Sequence, residues 1–187
     1  MRITTTLLLC AMLMAVASAQ EKDKPPAPPA LTVTVTATHD VDSMEHIIAA
    51  VYDVISGPMG QKRDWDRFRS LFAPGARLIP VSLSPQGAWG ARVLSPDDYV
   101  ARTQPFFEQQ GFFEREVARR VESYVHITHV FSTYESRHAK DDKPFARGIN
   151  SFQLMYDGQR WWVLSIMWES ERPETPLPGK YLPEKGQ

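Results

Sequence analysis

The chain has 187 residues, and its 21 lysines and arginines against 22 aspartates and glutamates give a formal net charge of −1 at pH 7. This near balance, without a basic patch interleaved with aromatic residues, argues against nucleic acid and anionic membranes as partners. The length suits one domain with an ordinary hydrophobic core.

The amino terminus is typical of a secretory signal peptide over residues 1–19. An apolar run at residues 7–16 is followed by an Ala-Ser-Ala triplet, which matches an A-x-A cleavage pattern. Cleavage before Gln20 predicts an exported protein, periplasmic or secreted, without membrane attachment after processing. The only cysteine, Cys10, leaves with the signal peptide, so we expect no disulfide, thiol nucleophile or thiolate metal site in the mature chain.

Residues 20–40 are rich in proline and charge, which is typical of an extended linker. Within this stretch, residues 31–36 alternate like a strand and are either linker or an added edge strand. The domain itself is expected over residues 41–172. The tail over residues 173–187 is again rich in proline and is expected to be an extended surface segment.

Three helices are predicted at the start of the domain. The first has Asp42 as its N-cap and Glu45 at N3, the second begins at Asp64, and the third begins at Ser95 and bends at Pro105. Their apolar positions follow i, i+3, i+4 spacing: Met44, Ile47, Ile48, Val51, Tyr52 and Ile55, then Trp65, Phe68, Leu71 and Phe72, then Tyr99, Val100, Phe106 and Phe107. Short strands are expected at residues 76–81 and 88–94.

From Phe112 the apolar period changes to two, and four long strands in sequence predict an antiparallel meander. Asp157-Gly158 marks the turn of the last hairpin. A two-residue loop would place Phe152 and Leu154 with Trp161 and Val163. We expect instead a three-residue loop with a bulge, because it gathers most large apolar groups on one face. That face would hold Gly148, Asn150, Phe152, Leu154, Trp162, Leu164, Ile166 and Trp168.

The predicted fold class is therefore α+β, with three N-terminal helices packed on a curved antiparallel sheet of four or more strands. One face of the sheet, with its helices, should enclose a core or pocket. The other face is also partly apolar, with Trp161, Val163 and Met167. We expect a homodimer to form through this outer face.

This order of elements resembles the nuclear transport factor 2-like superfamily, also called SnoaL-like or cystatin-fold cone proteins, over about residues 41–172. The resemblance rests on the helix Ile47-Ile48-Ala-Ala-Val51-Tyr52-Asp53, on the segment from Asp64 to Phe72, on the Ser95-Pro96-Asp97-Asp98-Tyr99 helix start and on the closing hairpin. In detail the chain is similar to a group of secreted bacterial proteins of this fold with no assigned activity. The superfamily includes ketosteroid isomerases, scytalone dehydratases, limonene epoxide hydrolases, polyketide cyclases and non-catalytic binders, so fold alone does not choose a function.

Tyr52-Asp53 resembles the Tyr or Tyr-Asp that some enzymes of the superfamily place at the mouth of the cone. A tyrosine hydroxyl in an apolar cone can polarise a carbonyl, and a nearby carboxylate can move a proton. Neighbours on a helix point about 100° apart, however, so the two need not converge. The alternative is that Tyr52 belongs to the core and Asp53 is a solvated charge.

His129 is the better histidine candidate for the pocket, as a general base or hydrogen-bond donor, because it shares a face with Ile127 and Phe131. A structural histidine is the alternative. His126 and His129 face opposite sides of a strand, and His39, His46 and His138 show no ligand spacing, so no metal and no cofactor are predicted.

The charged run of Glu114, Arg115, Glu116, Arg119 and Arg120 indicates a solvated strand face with cross-strand ion pairs. No acid is identified at the core face of the sheet, and this departs from the isomerases of the superfamily. Catalytic residues are therefore left unassigned. The ligand-binding candidates are Tyr52, Trp65, Tyr99, His129, Asn150 and Trp168.

Three functions fit these patterns. The first is an exported protein whose cone binds a small, largely apolar molecule without turnover. The second is a cofactor-free isomerase, dehydratase or hydrolase that uses Tyr52, His129 and Asp53. The third is a dimeric association module whose cone is filled by side chains.

Overall fold

A computed structural model describes residues 38–183. The predicted signal peptide, nearly all of the linker and the alternating segment at residues 31–36 lie outside the described residues, and export stays a prediction. The helical elements are η1 (Thr38–Val41), α1 (Met44–Ile55), α2 (Trp65–Ser70), α3 (Pro96–Gln109) and η2 (Gly179–Tyr181). The strands are β1 (Phe72–Leu83), β2 (Trp89–Ala91), β3 (Phe113–Tyr124), β4 (Ile127–Arg137), β5 (Ala146–Tyr156) and β6 (Trp161–Ser170). None of the helices in this part of the chain combines the length and apolarity that a bilayer crossing requires.

One sheet of six strands organises residues 38–183, in the order β2-β1-β6-β5-β4-β3. The four strands β3 to β6 form the predicted antiparallel meander. β1 is longer than the predicted segment 76–81 and pairs parallel with β6, so the sheet is mixed and not purely antiparallel. The α+β class is confirmed, but the prediction of three N-terminal helices is confirmed only in part. α2 has only six residues, and two strands separate it from α3.

The helices begin at side-chain caps. Asp64 accepts a hydrogen bond from the backbone of Arg67 at the start of α2, and Ser95 forms a capping box with Asp98 at the start of α3. In α1 the expected cap is wrong by one residue. Ser43, and not Asp42, accepts the backbone N–H of His46 at 3.1 Å. The carboxylate of Asp42 is thereby left for other partners.

The closing hairpin has a four-residue loop, because Tyr156 pairs with Trp161. The carboxylate of Asp157 accepts the N–H groups of Gln159 and Arg160 at 2.8 and 2.9 Å, which closes the loop as an Asx turn. A bulge then falls at Leu164. The face toward the helices, called the inner face here, consequently receives Gly148, Asn150, Phe152, Leu154, Trp161, Val163, Ile166 and Trp168.

The predicted hairpin face was therefore right in its β5 residues and at Ile166 and Trp168, and wrong at Trp162 and Leu164. The longer loop and the later bulge place Trp162 on the opposite, outer face, where its Nε1 donates to Asp157 at 2.7 Å. Leu164, the bulged residue, is exposed. The dimer prediction required Trp161 and Val163 on the outer face, but the same shift places both on the inner face.

The core lies between the inner face and the helices. α1 contacts β3 and β6, and α3 contacts β1. Phe68 of α2 is fully buried, with ring centroids of Phe72 and Tyr99 at 4.7 and 5.4 Å from its own. Burying such side chains is worth roughly 1.5–3 kcal/mol each. The inner face therefore carries the apolar stabilisation of the domain.

The described part of the tail forms a strap over the outer face. Thr133 donates from Oγ1 to the backbone oxygen of Tyr181 at 2.6 Å, and the Tyr181 ring lies 5.5 Å from that of Phe131. Glu171 accepts the N–H of Leu177 at 2.9 Å. Part of the face proposed for dimerisation is thus covered by the chain itself, and the homodimer stays a prediction.

Candidate functional site

A cluster of polar side chains lies on the inner face where α1 crosses β3, β4 and β5. The cross-strand register aligns Ser132 with Asn150, so both side chains point toward the helix. Tyr52, on the buried side of α1, reaches the same point. Its Oη lies 2.6 Å from Ser132 Oγ and accepts from Asn150 Nδ2 at 3.0 Å. Three elements, α1, β4 and β5, therefore meet at one hydrogen-bonded centre.

The donor and the acceptor of each hydrogen bond in this cluster can be assigned. Ser132 donates its only hydroxyl proton to Glu116 Oε1 at 2.7 Å, and Glu116 is ion-paired with Arg119. Ser132 must then accept from Tyr52. Tyr52 in turn accepts from Asn150. Burial raises the pKa of Tyr52 well above its usual range, with the charge of Glu114 adding to the effect, so the phenol stays neutral.

Glu114 is the least expected member of the cluster. Its carboxyl accepts from Ser136 Oγ at 2.8 Å and from Asn150 Nδ2 at 3.3 Å. Burial raises the pKa of this carboxyl from 4.5 to about 7, and the two hydrogen bonds only partly oppose that shift. The backbone N–H of Glu114 also donates to Ser56 at 3.0 Å, which fixes the start of β3 against the end of α1.

A bulge in β3 explains why the sequence pattern hid these residues. The pairing with β4 skips Val117, so the residues facing inward are even-numbered before the bulge and odd-numbered after it. Glu114 and Glu116 therefore share the inner face with Arg119. The interpretation of the charged run as one solvated face is wrong for these three. It holds for the exposed Arg115, which pairs across the strands with Glu135 at 3.3 Å.

The structure brings together only part of the predicted site. Tyr52 and Asn150 are hydrogen-bonded to each other. Trp168 lies opposite Asn150 in the sheet register, and Tyr99 makes an edge contact with Trp168 at 6.2 Å. Trp65 lies farther along the same aromatic core, stacked at 6.2 Å on Phe107.

Two predicted residues lie elsewhere. His129 lies on the outer face, where its Nε2 is 3.0 Å from Ser151 Oγ and its ring contacts Phe131. It cannot act with Tyr52, because the alternation of β4 turns even residues inward and odd residues outward. The side chain of Asp53 is 71% exposed and forms an ion pair with Arg67. The acid next to Tyr52 in sequence is therefore not the acid next to it in space.

No family model and no curated protein matches the chain. Solved structures do match. A protein of unknown function with a cystatin-like fold from Nostoc punctiforme has a TM-score of 0.53 and 11% identity, over 72% of this chain and 92% of that one. A nuclear transport factor 2-like protein of unknown function from Pseudomonas putida has a TM-score of 0.52 and 9% identity, over 72% and 90%. A proposed calcium/calmodulin-dependent protein kinase type II association domain from Thiobacillus denitrificans has a TM-score of 0.50 and 10% identity, over 70% and 97%.

The chain has the nuclear transport factor 2-like, or cystatin-like, fold. The resemblance inferred from sequence is confirmed at this level, while membership of a secreted subgroup stays a prediction. Identities this low carry no function. Within this fold, the polar cluster on the inner face is formed by Tyr52, Glu114, Glu116, Ser132, Ser136 and Asn150.

Proposed function

We propose that the cone binds a small, largely apolar molecule that presents one polar group to Glu114. The observation that supports this is a carboxyl with a pKa of about 7 in a small polar cluster beside the apolar core of the inner face. Ionising a buried acid costs free energy, and a core position that has no polar function is usually occupied by an apolar side chain. The described ion pairs include none at Glu114, so it is not held there by a cation.

Room for a ligand is supported by the exposure of residues around the cluster. Tyr99, Phe112, Glu114 and Trp168 each keep part of their surface exposed, although the Glu114 carboxyl is buried and the three aromatic side chains pack against the core. Aromatic walls with a few convergent polar groups are the usual composition of small-molecule sites. A largely apolar ligand would bury this remaining surface.

The carboxyl offers different hydrogen bonds at different pH. The Glu114 carboxyl accepts both of the hydrogen bonds that the structure describes for it, from Ser136 and from Asn150. Below pH 7 the neutral carboxyl adds a proton that a ligand carbonyl can accept. Above pH 7 the carboxylate accepts from a ligand hydroxyl.

Two matched probes test this. We expect 2-acetylnaphthalene, which only accepts, to bind more tightly at about pH 5.5, and 2-naphthol, which donates, to bind more tightly at about pH 8. Fluorescence titration of each probe gives the dissociation constants. Glu114→Gln should abolish the pH dependence, whereas Glu122→Gln, an exposed change on the same strand, should preserve it. Absence of saturable binding by the wild type, or equal pH dependence in both variants, would refute the proposal.

Proton transfer is a second candidate, favoured by the same pKa, because a base acts best when its pKa is near the working pH. In 3-cyclohexen-1-one, the Glu114 carboxylate would remove a proton from the carbon between the carbonyl and the double bond. It would return that proton to the far alkene carbon and leave the conjugated enone. In this second candidate function, Glu114 has the role of general base that the sequence analysis had suggested for His129.

Ultraviolet absorbance of the conjugated enone measures this reaction. We expect Glu114→Gln to lower the rate by about 10²–10⁴-fold. A wild-type rate equal to that of Glu114→Gln would refute catalysis by this residue. Binding of the naphthalene probes would be unaffected by that result, so the two candidates are separable.

A further inference from the structure

Three side chains of metal-ligating type converge at the start of the domain, away from the cone cluster. They are His39 of η1, Asp42 in the following turn and His46 in the first turn of α1. One ligand atom from each lies within 4.8 Å of the other two. His39 Nδ1 lies 3.1 Å from one carboxylate oxygen of Asp42, and His46 Nδ1 contacts the other. The two imidazole centroids are 4.1 Å apart.

This convergence follows from the cap of α1. Because Ser43 accepts the N–H of His46, Asp42 is not used to cap the helix. Asp42 and His46 are four residues apart and lie on one side of the first turn, while η1 folds His39 back over them. The sequence analysis found no ligand pattern here, because the spacing H-x₂-D-x₃-H spans two elements and a turn.

We propose that His39, Asp42 and His46 bind a divalent first-row transition ion, for which Zn²⁺ is the probe. Two imidazoles and one carboxylate form a donor set that binds such ions in preference to Mg²⁺ or Ca²⁺. Three protein ligands leave coordination positions for water. Small side-chain rotations suffice to bring donors that are already within 4.8 Å onto one ion.

The surroundings permit a cation. Arg67, a cationic side chain that is bound to Asp40 of η1, contacts that carboxylate by its Nε at 2.7 Å and Asp53 by its Nη1 at 2.6 Å. Its charge is thus compensated by two carboxylates. The side chains of His39, Asp42 and His46 are 78%, 49% and 42% exposed. Exposure gives an ion a path of entry, and it also lets the three side chains be replaced without opening the core.

Isothermal titration of the untagged, chelator-treated full chain with ZnCl₂ tests the site. We expect one Zn²⁺ per chain, with His46→Ala and Asp42→Asn each weakening affinity by at least about tenfold, as even outer-shell changes do. His126→Ala, an exposed histidine at the β3–β4 turn, should bind like the wild type. No Zn²⁺ binding by the wild type, or equal binding by His46→Ala, would overturn the proposal.

A second measurement guards against misfolding of a variant. Zn²⁺ should raise the thermal midpoint of the wild type and of His126→Ala, because binding to the folded state alone stabilises it. It should leave His39→Ala unchanged while the far-ultraviolet circular dichroism of that variant matches the wild type. A His39→Ala variant that folds and still gains the full thermal shift would contradict the assignment.

Discussion

Glu114→Gln should stabilise the protein at alkaline pH and leave its stability at acid pH nearly unchanged. Glutamine keeps the shape of the neutral acid, accepts from Asn150 through its oxygen and can donate its amide to Ser136, whose hydroxyl rotates to accept. The variant therefore mimics the protonated wild type. It removes only the requirement that a buried carboxyl become charged.

The size of the effect follows from the pKa. Because the folded pKa of Glu114, about 7, exceeds the ordinary value of 4.5, the folded state holds its proton where the unfolded state has lost it. Wild-type stability therefore falls as pH rises from about 4.5 through about 7. Each pKa unit is about 1.4 kcal/mol, so the full loss at higher pH is about 3 kcal/mol.

Urea unfolding followed by tryptophan fluorescence measures this difference at several pH values between about 4 and 8.5. The free energy of unfolding of Glu114→Gln minus that of the wild type should be near zero at the acid end. It should rise to about 3 kcal/mol at the alkaline end. Other titrating groups cancel in this difference, because both proteins contain them.

Glu122→Gln is the matched control, since it removes an exposed carboxylate from the same strand and should not reproduce the rise. A difference between Glu114→Gln and wild type that stays constant across this pH range would show that the carboxyl is not held neutral by burial. The basis of the proposed ligand site would then be lost with it.

Three further substitutions test the packing of the cone. Tyr52→Phe removes the bonds to Ser132 and Asn150 and should cost about 1–3 kcal/mol in urea unfolding; no loss of stability would contradict the described network. Gly148→Ala would place a methyl group 2.2 Å from the backbone oxygen of Glu169 and should lower the thermal midpoint, at a cost of about 1–3 kcal/mol or more, whereas Gly90→Ala meets open space and should not. Arg63→Met should cost at least about 2 kcal/mol by the same unfolding measurement, because the buried guanidinium donates to the backbone oxygens of Ile55, Gly57 and Gln61.

The fold could be predicted where one local pattern decides the structure. Apolar spacing located α1, the cap at Ser95 located α3, and period two located the strands of the meander. The parallel pairing of β1 with β6 could not be predicted this way, because nothing in either strand alone encodes which edge it joins. That pairing depends on tertiary packing.

Only some residues of the candidate site could be predicted from the sequence, and each wrong prediction has a local structural cause. Tyr52 and Asn150 were found because each occupies an apolar face of its own element. Glu114 was missed because a single bulge at Val117 reverses the alternation of β3, and one residue of slip exchanges the two faces of a strand. Trp162 was misplaced by the equivalent slip in the closing hairpin, where Asp157 closes a four-residue loop.

The direction of the hydrogen bonds decides which group in the cone is free to meet a ligand. Arg119 forms an ion pair with Glu116. Glu116 accepts a hydrogen bond from the hydroxyl of Ser132, and Ser132 accepts one from the hydroxyl of Tyr52. The hydroxyl proton of Tyr52, the first catalytic candidate by sequence, is thus already committed. Glu114 lies at the other end of this series of hydrogen bonds, where Asn150 donates to it. The proton of its own neutral carboxyl has no acceptor among the hydrogen bonds that the structure describes. We therefore expect the polar group of a bound ligand to contact Glu114, with Tyr52 and Asn150 fixing its position.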